Sequence, residues 1–275
     1  MRILLAGAGG QLGLALRAAP TSHEIVPLPH WRLDIADAAA VRSALGTHAP
    51  DIVVNAAAYN LVDQAETDQE AAYRVNCRGP RHLAVAAAER GIPIVHLSSD
   101  YVFAGDAGRP YTEDDPPLPL SRYGITKLIG EELVRNANPR HFVVRTAWLF
   151  HAEGRNFPRR VLDLATRGPV RVVGDQTGSP TYAPHLAEAL LRLIEEAAYG
   201  TYHLAGRGEA TWFELTRTLF REMKIATEVI PVTTAEFPRP AKRPVYSVLT
   251  TVREPRILLP PWEDGVAAFA REVSR

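Results

Sequence analysis

Short apolar runs alternate with longer stretches of helical spacing over the first half of the chain, and this alternation predicts its elements. Residues 2–6 are a run of buried-strand type, and residues 11–19 follow as an amphipathic helix. Residues 23–28 repeat the strand pattern, 37–48 the helical one with Asp37 near its start, and 51–56 read as a third strand. A long helical stretch from about 65 to 90 stops at Gly91-Ile92-Pro93, glycine just past the last turn and proline close behind. Residues 92–98, 121–136 and 142–148 then read as strand, helix and strand. Strands alternating with helices require right-handed crossovers, so the pattern predicts an α/β fold built on a doubly wound parallel sheet.

Past Trp148 the alternation loosens. Residues 156–167, 183–198, 211–224 and 263–275 have helical spacing, with short strands at 170–173 and 201–204. Residues 231–244 are proline-rich and read as irregular chain, with Lys242-Arg243 near their end.

Charge removes some functions. Lys+Arg and Asp+Glu both number 31, so nothing in the balance points to nucleic acid or to a membrane surface as partner. No window approaches the ~20 consecutive apolar residues of a membrane helix, and the N-terminus lacks a signal-peptide pattern. The expectation is a soluble, cytoplasmic protein. The single cysteine, Cys77, lies in an alanine-rich helical stretch and reads as a small core residue. The nine histidines show no ligand spacing, so no metal is expected.

Chemistry enters at the first turn. Gly7, Gly10 and Gly13 are spaced three apart between the first strand and the first helix. Alone, this spacing also fits an ordinary strand–helix turn. At the head of an alternating α/β chain it reads as a dinucleotide loop: Gly7 for the tight turn, Gly10 for approach to a pyrophosphate, Gly13 for close helix packing. The fold class is then Rossmann, with residues 1–150 holding the dinucleotide and a smaller α/β substrate-binding lobe at 151–275, the segments interleaved. The end of the second strand, Pro27-Leu28-Pro29-His30, carries no carboxylate to repel a 2′-phosphate, and His30 and Arg32 are near. NADPH is favoured, with NADH the alternative. Asp34, just beyond, offers an acceptor for the adenine amine or leads the next helix.

Tyr123 and Lys127 stand four apart on a predicted helix, on one face. Many surface helices carry this pair. A cation beside a phenol lowers its pKa toward the working range, and the phenol then serves as proton donor to a carbonyl oxygen. Upstream, Ser98-Ser99-Asp100 ends the fourth strand beside the switch point where such sheets bind ligands. Glycine loop, serine and Tyr-x-x-x-Lys in this order resemble the short-chain dehydrogenase/reductase superfamily.

Longer phrases carry the resemblance over nearly the whole chain, to the dTDP-4-dehydrorhamnose reductase family. They include Val54-Asn55-Ala56-Ala57-Ala58-Tyr59, Val62-Asp63-Gln64-Ala65-Glu66, Ser99-Asp100-Tyr101-Val102-Phe103 and Gly130-Glu131. Arg145-Thr146-Ala147-Trp148, Asn156-Phe157, Asp175-Gln176-Thr177-Gly178-Ser179-Pro180-Thr181, Arg243-Pro244 and Leu259-Pro260-Pro261-Trp262 complete it. The resemblance implies reduction of the 4-keto group of a dTDP-linked deoxysugar. It makes Tyr123 the proton donor, Lys127 the ribose-binding, pKa-lowering partner, and Ser99 the polarising hydroxyl. Gly7, Gly10, Gln11, Leu12, Gly13, Asp34, Ile35, Ala56, Ala57, Ala58, Tyr59 and Asn60 would line the cofactor. Ser99, Asp100, Tyr101, Trp148 and Asn156 would meet the sugar, and Arg243 the diphosphate through its guanidinium fork. Trp148 also fits a core role, and Arg243 a solvated loop.

The chain departs from the family in places. Ser99 replaces a threonine, which keeps the hydroxyl, and Tyr246-Ser247 stands where asparagine-serine is usual. Some relatives bind Mg²⁺ at a dimer interface through a first-helix carboxylate; here that position is Ala15. A homodimer stays open. Two other readings stand beside the reductase: a non-catalytic dinucleotide-binding subunit like the β subunit of methionine adenosyltransferase, and a sugar-nucleotide epimerase or dehydratase. Against the dehydratase, Asp100 is followed by Tyr101 rather than by a glutamate.

Overall fold

The structure, a computed structural model, describes residues 1–274, so the last residue of the expected C-terminal helix, Arg275, lies outside the described residues. The first half runs β1 (Arg2–Ala6), α1 (Gln11–Ala18), β2 (Glu24–Leu28), α2 (Ala38–His48), β3 (Ile52–Asn55), α3 (Gln69–Tyr73), α4 (Gly79–Ala88), β4 (Ile94–Ser99), α5 (Arg122–Ala137) and β5 (His141–Thr146). The second half runs β6 (Leu149–Phe150), α6 (Phe157–Ala165), β7 (Val170–Val173), β8 (Thr177–Gly178), β9 (Thr181–Tyr182), α7 (Ala183–Glu196), β10 (Gly200–His203), β11 (Ala210–Thr211), α8 (Trp212–Glu222), β12 (Val229–Val232) and α9 (Trp262–Val273).

Six strands form one parallel sheet in the order β2-β1-β3-β4-β5-β10. Side chains alternate across each strand, so Ile3 and Leu5 enter one core with Leu12 and Leu16 of α1 and Leu186 and Leu190 of α7. Leu4 and Ala6 enter the opposite core with Leu45 of α2, Leu83 of α4 and Val134 of α5. Each fully buried leucine or isoleucine contributes about 1.5–3 kcal/mol, which is why both faces must be covered. This is the doubly wound architecture that the alternation predicts. Strand order reverses between β1 and β3, and that switch point opens a crevice at the carboxyl ends of the strands.

A third core joins α6, α8 and α9 with the short strands, through Phe150, Val161, Val172, Leu219, Trp262 and Phe269. β10 and α7, from the second half, return to the main sheet. No helix is long and apolar enough to cross a membrane among the described residues.

The structure corrects the sequence reading at two places. The stretch read as one helix from 65 to 90 begins with a 3-10 turn at Gln64–Glu66 and then runs as continuous helix from Gln69 to Ala88, α3 and α4 being joined by a π-helical turn at Arg74–Arg78. Pro80 has no N–H to return to the Asn76 carbonyl, and that carbonyl faces Gly130, where a Cβ would sit 2.2 Å away. Residues 231–244 are also not wholly irregular, since Pro231 and Val232 lie in β12, paired with β7. Proline is tolerated there because β12 is an outer strand of a two-stranded ladder.

Candidate active site

At the end of β1, Gly7 has φ +80°, and a Cβ there would lie 2.4 Å from the Ala57 nitrogen. A Cβ on Gly13 would lie 2.4 Å from the Gly7 carbonyl oxygen, so glycine lets α1 settle on the loop. α1 starts at Gly10 without a side-chain cap, which leaves its first-turn N–H groups for an anion. These features fit a dinucleotide pyrophosphate. Gly13→Val is expected to abolish NADPH binding and lower the melting temperature, measured by fluorescence titration and thermal unfolding; a wild-type titration curve would contradict the loop's role.

The other cofactor-side residues divide by what their side chains do. Leu12 is buried in the core and offers the crevice only backbone. Gln11 accepts through Oε1 from Asn156 Nδ2 at 3.0 Å, so the structure brings these two site residues together. Asn156 also caps α6, its Oδ1 accepting from Arg159 N at 3.0 Å. Ile35 is a core residue packed where Gly79 leaves room, and its side chain does not line the crevice. Asp34 accepts from Ala36 N at 3.0 Å and pairs with Arg74 at 3.0 Å, which adds a cation that the sequence did not single out. Beyond β2, Trp31 is 78% exposed with the Arg32 guanidinium 5.0 Å from its ring centre. Ala56 and Ala57 are half-buried at the end of β3, and Ala58 and Asn60 are exposed. Tyr59 between them is fixed by Asn76: its N–H donates to Oδ1 at 2.8 Å, and Asn76 Nδ2 donates to its carbonyl at 3.0 Å. Asn76 Nδ2 also donates to Thr126 Oγ1 at 3.1 Å, tying this loop to α5.

Ser121 caps α5 by accepting from Gly124 N at 3.2 Å. A Cβ on Gly124 would lie 2.2 Å from the Tyr101 carbonyl oxygen, so glycine after Tyr123 lets the helix touch the end of β4. Tyr123 is buried, edge-on to Tyr101 with ring centres 5.6 Å apart. Burial and the Asp100 charge push its phenol up to about 12, against a hydrogen bond with Ser99. Lys127 is buried one turn on, and its Nζ donates to the Leu97 carbonyl at 2.6 Å. Burial brings its ammonium down to about 8, with Glu131 opposing.

This corrects the expectation that Lys127 lowers the Tyr123 pKa. The ammonium is directed to a strand carbonyl, and the charge that acts on the phenol is Asp100. The phenol therefore remains protonated, the form in which it donates.

Ser99 Oγ donates to Asp100 Oδ1 at 2.9 Å, and Ser247 Oγ, from the second half of the chain, donates to Asp100 Oδ2 at 2.7 Å. Burial raises Asp100 to about 6, against these two hydroxyls. Arg243 sets its fork on Asp63, with both N–O distances 3.0 Å, and lies near Tyr101. Its fork is thus engaged by a carboxylate rather than free, and Asp63 is the partner that the sequence reading missed. Burial works to raise Asp63, but Arg243 and the Ala241 N–H hold it below the usual carboxylate range. Trp148 adopts φ +44° and stacks on Trp212 at 3.4 Å, over Gly178, where a Cβ would meet the indole at 2.4 Å. The Asp-Gln-x-Gly loop therefore seats Trp148 at the site's edge. Among the described residues, no cluster of three His, Cys, Asp or Glu is placed to hold a metal ion.

The chain is similar to named reductases over most of its length. A probable dTDP-4,6-dihydroxy-2-methyloxan-3-one 4-ketoreductase of Streptomyces antibioticus is 45% identical over 90% of this chain and 86% of its own. A dTDP-4-dehydrorhamnose reductase of Sinorhizobium fredii is 40% identical over 96% and 95%. The Bacillus anthracis dTDP-4-dehydrorhamnose reductase, solved in complex with NADP, superposes with a TM-score of 0.96 at 36% identity, covering 98% of this chain and 99% of that one. The family described as RmlD substrate binding domain matches residues 1–275, and the chain belongs to that family.

Proposed function

We propose that this protein reduces the 4-keto group of a dTDP-linked 6-deoxyhexulose, dTDP-4-dehydro-L-rhamnose or a close analogue, with NADPH. One observation carries the reading: the Ser99 hydroxyl, the Tyr123 phenol and the buried Lys127 meet at the end of β4, beside an uncapped glycine-loop helix. The names of the relatives support the substrate class.

When bound, the nicotinamide supplies a hydride to the carbonyl carbon. Tyr123, protonated through neutral pH, gives its proton to the keto oxygen. The Ser99 hydroxyl, which donates to Asp100 Oδ1 in the free protein, turns to donate to the same oxygen and stabilises its developing charge. Lys127 adds a positive charge beneath the site. Asp34, Tyr59 and the loop at Gly7–Gly13 border the cofactor, while Asp100, Tyr101, Trp148 and Asn156 border the sugar. Residues 1–150, completed by α7 and β10, form the cofactor region in this reading, and the third core forms the substrate lobe.

The experiment is NADPH oxidation with dTDP-4-dehydro-L-rhamnose. Stoichiometric loss is expected, and kcat/KM for NADPH at least equal to that for NADH, because no acid stands at the end of β2. A bound subunit without catalysis, or an epimerase with retained NAD, gives no net NADPH loss, and that result overturns the reading.

A further inference from the structure

Tyr123, Lys127, Glu131 and Arg135 stand four residues apart on α5 and share one face. That face is fastened to successive residues of β4. Lys127 Nζ donates to the Leu97 carbonyl at 2.6 Å, Ser98 Oγ donates to Glu131 Oε1 at 2.5 Å, and the Tyr123 phenol lies beside Ser99. Arg145, opposite Ser98 on β5, closes on the same carboxylate with Nε at 2.9 Å and Nη2 at 2.8 Å. Arg135 Nη2 adds a bond at 2.7 Å. Glu131 is wholly buried. Buried ion pairs are often no more stabilising than apolar residues of the same volume, so stability alone gives little reason for this one.

We propose that Glu131 is a positioning residue of the reaction: it pins the reactive face of α5 to the end of β4 and supplies the buried negative charge that faces Lys127. The proposal rests on the reductase reading for its effect on turnover, but its electrostatic part stands on the protein alone. The titratable neighbours of Lys127 come from every packed element. His96 of β4 is kept neutral by burial and by the Lys127 and Arg135 charges. Cys77, from the π-helical turn, is pushed up to about 12 by burial and stays a thiol. Arg135 on α5 and Arg145 on β5 are the cations that Glu131 compensates. Without its carboxylate, two guanidinium groups and burial all act against a charged Lys127.

The chain has three lysines, Lys127, Lys224 and Lys242, so carbon-13-labelled lysine side chains report Lys127 by NMR in the whole protein. Glu131→Gln is expected to lower the Lys127 pKa by about one unit or more, a tenfold change in its protonation equilibrium. The alkaline limb of kcat should move to lower pH with it, while KM for the sugar nucleotide holds. Glu131→Asp keeps the charge and is expected to keep both near wild-type pH. A folded Glu131→Gln protein whose Lys127 titrates as in the wild type overturns the proposal. Should that variant fail to fold, Glu131→Gln/Arg145→Gln removes the buried guanidinium together with its carboxylate and carries the same measurement, with a smaller expected fall because one opposing cation goes too, and an unchanged Lys127 titration again overturns the proposal. The titration needs no substrate. A wild-type protein that leaves the sugar nucleotide unreduced therefore overturns the reaction, and the lysine titration still decides the role of Glu131.

Discussion

Tyr123→Phe is expected to lower kcat for sugar-nucleotide reduction by about 10²–10⁴-fold, the usual contribution of a positioned general acid. The substitution keeps the ring, so the edge-on contact with Tyr101 and the buried packing survive. What it removes is the one phenolic proton held beside Ser99. Because burial and Asp100 keep that phenol protonated to about 12, its ionisation does not set the alkaline limb of the wild-type profile. That limb should instead follow Lys127, near 8. Steady-state kinetics and an NADPH titration test this together: turnover should collapse while NADPH affinity stays within about twofold, the margin of a single weak contact. Near-wild-type turnover would remove Tyr123 from the chemistry.

Arg243→Ala is expected to raise KM for the sugar nucleotide by about one to two powers of ten, from a lost charge-assisted contact of roughly 1.5–3 kcal/mol. The structure changes the reason for that loss. The guanidinium fork is already closed on Asp63 and lies near Tyr101, so its open N–H groups and net placement, rather than a free fork, would face a diphosphate. Removing Arg243 also leaves Asp63 with only the more distant Arg239, 3.9 Å away, as its cation, so its carboxylate repels the substrate as well. Asp63→Asn in the Arg243→Ala background should therefore recover part of the affinity. Arg243→Lys should recover less than wild type, since one ammonium cannot hold both oxygens of Asp63. NADPH binding should be nearly unchanged in all three. An unchanged sugar-nucleotide KM in Arg243→Ala sinks the contact and weakens the case for a diphosphate substrate.

The sequence determined what depends on local spacing. Alternating apolar runs defined the main strands and helices because each must bury one or both faces, as Leu4 and Leu5 do to opposite sides of β1. Gly7 and Gly13 were legible because glycine suits φ +80° and a neighbour at 2.4 Å, whereas at Gly10 a Cβ would stand 3.4 Å from its neighbour. Tyr123 and Lys127 were legible because four residues make one helical turn. The tertiary structure alone decided what depends on distant partners. The π-helical turn at Arg74–Arg78 arises where Pro80 and the approach of Gly130 outweigh a continuous α-helical pattern. β6, β8, β9 and β11 are each two residues long, too short for any periodicity to mark them. Arg243 meets Asp63 across 180 residues, and Asp100 meets Ser247 across 147. No local pattern encodes such pairs, because burial and folding bring the charges together. The same holds for the pKa values: spacing put Lys127 beside Tyr123, but the low-dielectric interior and the orientation of each charge set their protonation.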